Sequence, residues 1–139
     1  MEQKNEKQRL QEKYTELQVI SQQIQGIQEQ INSIFQQSQE LMKLRDSLVD
    51  IQNIKKENKA LIPIGSSIFL EGTIQETDKV VMGVGAGVCV KKNTNDAVLM
   101  IENQIKELDK IGNQLNKQAS MRVAYIHNLQ EELKGMAKE

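Results

Sequence analysis

Few residues in this chain have the types and spacing that catalysis or metal binding requires. Its 139 residues include one cysteine, Cys89, and one histidine, His127. Cys89 cannot form an internal disulfide and has no neighbouring His or second Cys for a metal site, so we expect it to act as a small apolar residue. His127 follows Ile126 in a helical pattern, without the partners that a general base needs. We therefore predict no catalytic residue, no bound metal and no cofactor.

The glycines at positions 83, 85 and 87 form a Gly-x-Gly-x-Gly pattern that could suggest a phosphate-binding loop. A nucleotide site would need a Gly-Lys-Ser/Thr sequence, or a Gly-x-Gly-x-x-Gly fingerprint that opens a helix, and neither is present. Glycines at this spacing also permit turns or bulges between strands. Because the sequence shows no convergent set of polar residues either, it does not predict an enzyme.

Composition and charge narrow the class of protein further. The chain has 18 basic and 19 acidic residues without a run of like charge, which argues against nucleic acid or an anionic membrane as the main partner. Aromatic residues make up 3% of the chain and Trp is absent, which argues against a large globular core. No apolar run reaches the ~20 residues that span a bilayer, and the N-terminus lacks the apolar core of a signal peptide. We expect a soluble, cytoplasmic protein.

Two long stretches carry apolar residues in alternating steps of three and four, which is the heptad pattern of a coiled coil. They predict a helix over about residues 3–57 and a second over about 95–137, opened by capping side chains at 93–96. The first seam consists of Leu10, Leu17, Ile20, Ile24, Ile27, Ile31, Ile34, Leu41, Leu44, Leu48 and Ile51. The second consists of Ile101, Ile105, Leu108, Leu115, Ala119, Ile126, Leu129, Leu133 and Met136. We expect the helices to pair as an antiparallel hairpin whose open end holds both chain termini.

The heptad pattern is interrupted in both helices. In the first helix, Ser38 occupies a seam position, and position 45, where the spacing calls for an apolar residue, holds Arg45 while the apolar residue Leu44 precedes it. This displacement by one residue predicts a change of phase in the apolar stripe and a loosely packed or bent point near Ser38. In the second helix, Gly112 and Arg122 are the two interruptions. We therefore expect helical arms that bend.

Between the helical stretches, residues 60–92 change to the period of two that is typical of half-buried strands. Pro63 belongs at a strand start or edge, and the polar residues 75–78 form a turn. The pattern predicts two β-hairpins, one pairing 61–64 with 67–74 and one pairing 79–84 with 87–91. A four-stranded patch of this size needs a partner to cover its apolar face and edges, so we expect it to be the assembly element. The predicted assembly residues are Ile68, Leu70, Ile74, Val80, Met82, Val84 and Val88.

The insert also resembles the central signature of the alpha-class subunits of the prefoldin family. The resemblance rests on three segments: Ile62-Pro63-Ile64-Gly65, Thr77-Asp78-Lys79-Val80 and Gly83-Val84-Gly85-Ala86-Gly87-Val88. The flanking heptads extend the match over nearly the whole chain, and two hairpins rather than one mark the alpha class. The compact length and acid-poor tail resemble an archaeal subunit. The chain is then expected to be a single prefoldin-type unit over residues 1–139.

The resemblance implies a co-chaperone that uses no ATP. In the family, two alpha and four beta subunits join their hairpins into a double β-barrel between subunits. The coiled coils of this hexamer hold unfolded client proteins and pass them to a group II chaperonin. Apolar residues near the free helix ends are the candidates for client binding, because helix ends fray and expose them. They are Leu10, Tyr14, Leu17, Ile126, Leu129, Leu133 and Met136.

Three alternatives stay open from the sequence. A cytoskeletal or tethering scaffold would share the helical arms, although a simple rod needs no β insert. A subunit of the same fold could build filaments or a specialised complex instead of a hexamer. The candidate client-binding residues could also only complete the coiled coil, an alternative that is strongest for Leu17 and Ile126 because they lie further from the ends.

Overall fold

The computed structural model of the chain describes residues 2–54 and 58–137, with side chains over 5–54 and 58–136. These residues form two helices and four strands in the order α1 (Glu2–Gln52), β1 (Lys59–Gly65), β2 (Ile68–Thr73), β3 (Lys79–Gly85), β4 (Val88–Asn93) and α2 (Thr94–Ala137). The predicted fold class, two long helices around an insert of two β-hairpins, is confirmed. The chain divides into two compact units: a helical unit, Met1–Gln37 with Leu108–Glu139, and a hairpin unit, Ser38–Glu107.

The first helix ends at Gln52, short of the predicted residue 57. The amides of Asn53 and Ile54 donate to the carbonyls of Asp50 and Ile51, three residues back, at 3.0 Å. Bonds of this spacing tighten the last turn of a helix and terminate it. Residues 55–57 of the predicted helix lie outside the described part of the chain.

The inward-facing positions of α1 keep their heptad spacing within the hairpin unit, so the predicted change of phase is wrong. Leu44 is 47% exposed, whereas Arg45 is half-buried and Ser38 is 5% exposed. With Leu41 and Leu48, these inward positions follow steps of three and four at 38, 41, 45 and 48. Arg45 is tolerated there because a long side chain can cover apolar surface with its methylenes and keep its charge in water. A bend near Ser38 stays a prediction.

The core of the hairpin unit lies where α1, α2 and the second hairpin meet. Its central cluster consists of Leu48 from α1 and Ala97, Ile101 and Ile105 from α2. Val80 and Met82 from β3 pack against this cluster. The second hairpin is therefore held on the helices of its own chain by apolar contacts.

The start of α2 is fastened to the segment before β3. Thr94 is completely buried, and its hydroxyl donates to the carbonyl of Thr77 at 2.7 Å. Its amide donates to the carbonyl of Asp78 at 2.8 Å. Asp96 lies in the first turn of α2, where its negative charge interacts favourably with the positive end of the helix dipole. The capping segment predicted at 93–96 thus also attaches the helix to the hairpin region.

Each hairpin is a separate two-stranded antiparallel sheet. β1 pairs with β2 from Lys59↔Thr73 to Gly65↔Ile68, and β3 pairs with β4 from Lys79↔Asn93 to Gly85↔Val88. A register shift interrupts each ladder just before its turn, at residues 63–65 and 83–85.

Two-residue turns connect the strands. Ser66 and Ser67 have φ angles of 47° and 63°, and Ala86 and Gly87 have φ angles of 52° and 75°. Positive φ at both central residues is the geometry of a type I′ turn, whose twist matches that of paired strands. The turns therefore fix both registers.

In the helical unit the two helices run antiparallel: residues with higher numbers on α1 contact residues with lower numbers on α2. Lys13 forms an ion pair with Glu132. Further along α1, Ile34 lies opposite Gly112, where an added Cβ would be 3.7 Å from Ile34 Cγ2. Gly112 is half-buried, so this predicted interruption still lies in the seam.

Candidate functional site

Exposed apolar side chains are concentrated on the two β-hairpins, and we call these residues the hairpin surface. They are at least 37% exposed and consist of Leu61, Ile62, Ile64, Ile68, Phe69, Leu70, Val81, Val84, Val88 and Val90. Soluble monomers rarely expose contiguous apolar patches of large area, and such patches mark sites of interaction. The hairpin surface is therefore a candidate site for contact with another chain.

The first hairpin leaves both of its faces uncovered. Successive residues of a strand point to opposite faces, yet neighbours on the same strand are all exposed. Leu61 and Ile62 on β1 are 65% and 50% exposed, and Phe69 and Leu70 on β2 are 51% and 55% exposed. A two-stranded hairpin is at best marginally stable in water by itself. This hairpin thus offers apolar side chains to a partner on either face.

The second hairpin is covered on one face only. Val80 and Met82 are half-buried against the helical cluster. Val81, which lies between them on β3, is 65% exposed. The face that carries Val81 points away from the cluster that its neighbours contact.

The structure divides the seven predicted assembly residues into two groups. The exposed group consists of Ile68, Leu70, Val84 and Val88. The half-buried group consists of Ile74, Val80 and Met82. The sequence placed Val80, Met82 and Val84 on one face, but the register shift at 83–85 leaves Val84 58% exposed while the other two pack on the chain's own helices. Their role in assembly stays a prediction.

Sequence reasoning missed six residues of the hairpin surface. They are Leu61, Ile62, Ile64, Phe69, Val81 and Val90. A search for alternation selects one face of each strand, and both faces of the first hairpin are uncovered. A continuous apolar run, such as residues 60–64, is the signal of a strand that becomes buried on both faces.

The two hairpins also differ in charge. The first carries Lys59 and Glu71, whereas the second carries Lys79, Lys91 and Lys92. Lys91 Nζ lies 3.7 Å from a carboxylate oxygen of Glu76, and the Lys91 side chain remains 66% exposed. The second hairpin is therefore the more basic of the two.

The predicted client-binding residues all lie in the helical unit. Tyr14 is 54% exposed, and four others are half-buried: Leu10, Leu17, Ile126 and Met136. Leu129 and Leu133 are only 5% and 6% exposed, so they complete the packing between α1 and α2. These two leucines could reach a client only where the helices separate. Client binding stays a prediction for all seven.

A second set of apolar residues in the helical unit lies outside the heptad seam and is exposed. The five nearest the chain ends are what we call the helix flank, and they lie on more than one side of the helix pair: Tyr14, Val19, Met121, Val123 and Tyr125. Met121 is 72% exposed, and it lines a shallow groove with Ile20 and Tyr125. Sequence reasoning named only Tyr14 of these five, because it otherwise followed seam positions. Large apolar residues at non-seam positions were the available signal.

Polar contacts link the two helices beside the helix flank. The Tyr125 hydroxyl donates to the carboxylate of Glu16, and Arg122 Nε donates to Gln23 Oε1 at 3.2 Å. The hydrogen bond to Glu16 raises the pKa of Tyr125 above its ordinary value of 10, and desolvation and the nearby carboxylates of Glu16 and Glu132 raise it further. The hydrogen bond to Glu16 holds the Tyr125 hydroxyl against α1.

The described residues give little support for a metal site or a membrane-spanning helix. Cys89 and His127 are both exposed. In the described ranges, no cluster of three or more His, Cys, Asp or Glu could hold a metal ion. None of the helices there has a stretch apolar enough to cross a membrane.

Comparison with known sequences points to one family. The sequence profile of the prefoldin subunit family matches residues 20–139. Prefoldin subunit alpha of Methanococcus aeolicus is 31% identical over 124 residues, which cover 89% of this chain and 84% of the relative. Prefoldin subunit alpha 1 of Methanocaldococcus jannaschii is 32% identical, also over 124 residues that cover 89% of this chain and 84% of the relative. Both relatives are archaeal proteins.

Comparison with solved structures gives the same fold. A chain from a cryo-EM structure of filamentous PFD from Methanocaldococcus jannaschii has a TM-score of 0.73 and 24% sequence identity. The match covers 83% of this chain and 95% of that chain. At this identity the likeness concerns the fold.

Proposed function

Because the chain belongs to the prefoldin family, in its alpha class, we propose that it is a subunit of an ATP-independent chaperone that holds non-native proteins. In this proposal the hairpins join it to beta-type subunits in a hetero-hexamer of two alpha and four beta chains, through a β-barrel shared between subunits. Residues near the free helix ends bind unfolded clients, and the complex passes them to a group II chaperonin.

The exposure of the hairpin surface is the observation that carries the assembly part of the proposal. Ten large apolar side chains on four short strands remain 37–65% exposed within the described part of the chain. Burying apolar surface contributes roughly 25 cal/mol per Å², so a partner that covers these strands gains a large driving force. Hairpins of a partner chain can provide this cover by adding strands to the exposed sheet edges or by packing on the sheet faces.

The helical unit supports the client-binding part. The half-buried seam residues near the chain ends and the exposed helix flank together present several separate apolar side chains on two long helices. Unfolded proteins expose apolar segments of varied shape, and a flexible side chain such as Met121 adapts to them at little cost. A client that makes several weak contacts along the helices at once is also bound more tightly than by any one of these contacts alone.

Co-assembly tests the role of the hairpins. The chain is mixed with a beta-type subunit from the same source, and the mass of the complex is measured by light scattering after gel filtration. The double variant Leu61→Asp with Val84→Asp places two charges at exposed positions of the hairpin surface. The variant chain should therefore fold, but it should no longer form the complex, because the charges would be buried in the contact with the partner. Leu99→Asp is the control, since Leu99 is 57% exposed on α2 outside the hairpins. An unchanged complex mass for the double variant would refute the assembly role.

Truncation tests the role of the helix ends. Removing residues 1–12 and 128–139 should leave the number of subunits in the complex unchanged, because the proposed assembly contacts lie on the hairpins. The truncated complex should no longer suppress the aggregation of heat-denatured citrate synthase, followed by light scattering without ATP. Full suppression by the truncated complex would show that clients bind elsewhere.

A further inference from the structure

The two hairpins follow the same plan at a fixed spacing along the chain. β1 and β3 begin at Lys59 and Lys79, and β2 and β4 begin at Ile68 and Val88, a spacing of 20 residues in both cases. The register shift before the turn and the positive φ angles in the turn recur at the same spacing. Each position of the first hairpin can therefore be compared with its counterpart in the second.

The second hairpin is anchored to the helices of its own chain in two ways. Val80 and Met82 of β3 are half-buried and pack on the apolar cluster formed by α1 and α2. Where β4 ends, the amide of Thr94 donates to the carbonyl of Asp78, and the hydroxyl of Thr94 donates to the carbonyl of Thr77. Opening this hairpin would therefore uncover part of the core of the hairpin unit.

The corresponding positions of the first hairpin lack the apolar anchor. Ala60 takes the place of Val80, and Ile62, which takes the place of Met82, is 50% exposed. A Cβ added to Gly72 would lie 2.8 Å from Ile62 Cδ1, so the Ile62 side chain lies over this glycine of its own hairpin. Within the described part of the chain, none of the half-buried apolar residues that pack on the cluster belongs to the first hairpin.

The hydrogen bonds at the open ends of the two hairpins differ as well. Ile74, which corresponds to Thr94, repeats the amide bond by donating to the carbonyl of Asn58 at 3.0 Å. Isoleucine has no hydroxyl, so the side-chain bond of Thr94 has no counterpart in the first hairpin. The second hairpin also continues directly into α2, whereas the first is followed by the irregular segment 74–78. The first hairpin is therefore held mainly by its own strand pairing and turn.

We propose that the first hairpin is a conformational switch: it opens and closes in the free chain and is stably closed only in the assembled complex, whereas the second hairpin is closed in both. A two-stranded hairpin is at best marginally stable in water without further packing. Elements with few buried apolar contacts open locally without unfolding the rest of the protein. A partner that covers the exposed side chains of Leu61 and Phe69 adds the packing that the closed form lacks. This last step rests on the proposed assembly function, whereas the behaviour of the free chain does not.

Hydrogen–deuterium exchange followed by mass spectrometry tests the proposal on the full-length chain, alone and in complex with a beta-type subunit. The free chain is diluted until sedimentation gives the mass of a monomer, and exchange is corrected for the intrinsic rate of each peptide. In the monomer, peptides from β1 and β2 should exchange at least about tenfold faster than peptides from β3 and β4, because the first hairpin opens more readily. In the complex, exchange of the first hairpin should slow by at least about tenfold.

Equal exchange of the two hairpins in the monomer, or fast exchange of the first hairpin in the complex, would overturn the proposal. A chain that forms no complex with the beta-type subunit would instead refute the proposed assembly function, and the measurement on the monomer would still decide whether the first hairpin opens in the free chain. Failure of the inference and failure of the proposed function are therefore distinguishable.

A pair of variants tests whether the helices hold the second hairpin closed. Val80→Ala removes a side chain that packs on the apolar cluster, so in the monomer it should speed exchange of β3 and β4 by at least about fivefold. Val81→Ala is the matched control, since Val81 is the next residue of the same strand and is 65% exposed. Thr94→Val, which removes only the hydroxyl bond to Thr77, gives an independent reading in case Val80→Ala loses helix by circular dichroism. Exchange of the second hairpin that is no faster in Val80→Ala and Thr94→Val than in Val81→Ala would refute the anchoring and with it the proposed difference between the hairpins.

Discussion

The hydroxyl of Thr94, the first residue of α2, donates a 2.7 Å hydrogen bond to the carbonyl of Thr77, and Thr94 is completely buried. The amide of the same residue donates to the carbonyl of Asp78. One threonine therefore ties the start of the second helix to the chain just before β3. Since β3 also packs Val80 and Met82 on the helices, this junction fixes how the second hairpin is presented to a partner.

Thr94→Val should destabilise the hairpin unit by about 1–3 kcal/mol, because it keeps the shape of the side chain but leaves the Thr77 carbonyl without its donor. Thr94→Ser retains the hydroxyl and should cost less. The free energy of unfolding from urea titrations compares the two variants. Equal losses for Val and Ser would show that the hydrogen bond contributes little.

Ile101→Ala should lower the free energy of unfolding by about 2–5 kcal/mol, since Ile101 is 3% exposed in the cluster with Leu48 and Ala97 and its truncation leaves a cavity. Leu99→Ala removes a similar side chain two residues earlier on the same helix, where it is 57% exposed. This control should change stability by no more than about 0.5 kcal/mol. Urea unfolding followed by circular dichroism measures both, and similar losses would contradict the assigned core.

Gly112→Ala should stabilise the helical unit by about 1 kcal/mol. Alanine has the higher helix propensity by about that amount, and its Cβ would lie 3.7 Å from Ile34 Cγ2, an ordinary van der Waals distance. Thermal unfolding should therefore shift to a higher temperature. A lower midpoint would indicate that the seam at Gly112 is tighter than this distance implies. If Gly112 serves to let the helices flex, the variant should also hold clients less well than the unmodified chain.

The regular elements could be predicted from the sequence because their periods differ. Steps of three and four gave the two helices, and the period of two with paired turn residues gave the two hairpins. The register shift at 83–85 escaped this reasoning, so Val84 was grouped with Val80 and Met82 although only those two face the helices. A shift of one residue exchanges the two faces of a strand, and periodicity alone does not reveal where it occurs.

The candidate sites were less predictable than the elements because exposure depends on what packs nearby. Arg45 was excluded from the seam for its charge, yet it occupies an inward position and Leu44 does not. Leu129 and Leu133 were expected near an open end, but α1 extends far enough to bury both. In each case the neighbouring helix decides the outcome, and that information is not contained in the local sequence.

The Tyr125 phenol should titrate above pH 10, because its hydrogen bond to Glu16 and the carboxylates around it disfavour the phenolate. Since the folded-state pKa is raised above the unfolded value, the associated stabilisation is fully present below pH 10 and is lost as pH rises through the folded-state pKa. Absorbance of the phenolate in a Tyr14→Phe background reports Tyr125 alone, with circular dichroism as the check on folding. Glu16→Ala should lower the pKa of Tyr125, and an unchanged value would show that Glu16 is not its partner.

The helix flank should contribute to client capture without contributing to stability. Met121 is 72% and Val123 is 53% exposed, so Met121→Gln with Val123→Gln should change the free energy of unfolding by no more than about 0.5 kcal/mol per site. Each removes apolar contact area from a client, so the affinity for an unfolded fluorescent client, measured by anisotropy on the assembled complex, should fall several-fold. Leu99→Gln is the control, since it removes an equally accessible apolar side chain of the same helix from the hairpin unit. Equal losses of affinity for the flank variant and for Leu99→Gln would show that client binding follows general surface apolarity and does not depend on the helix flank.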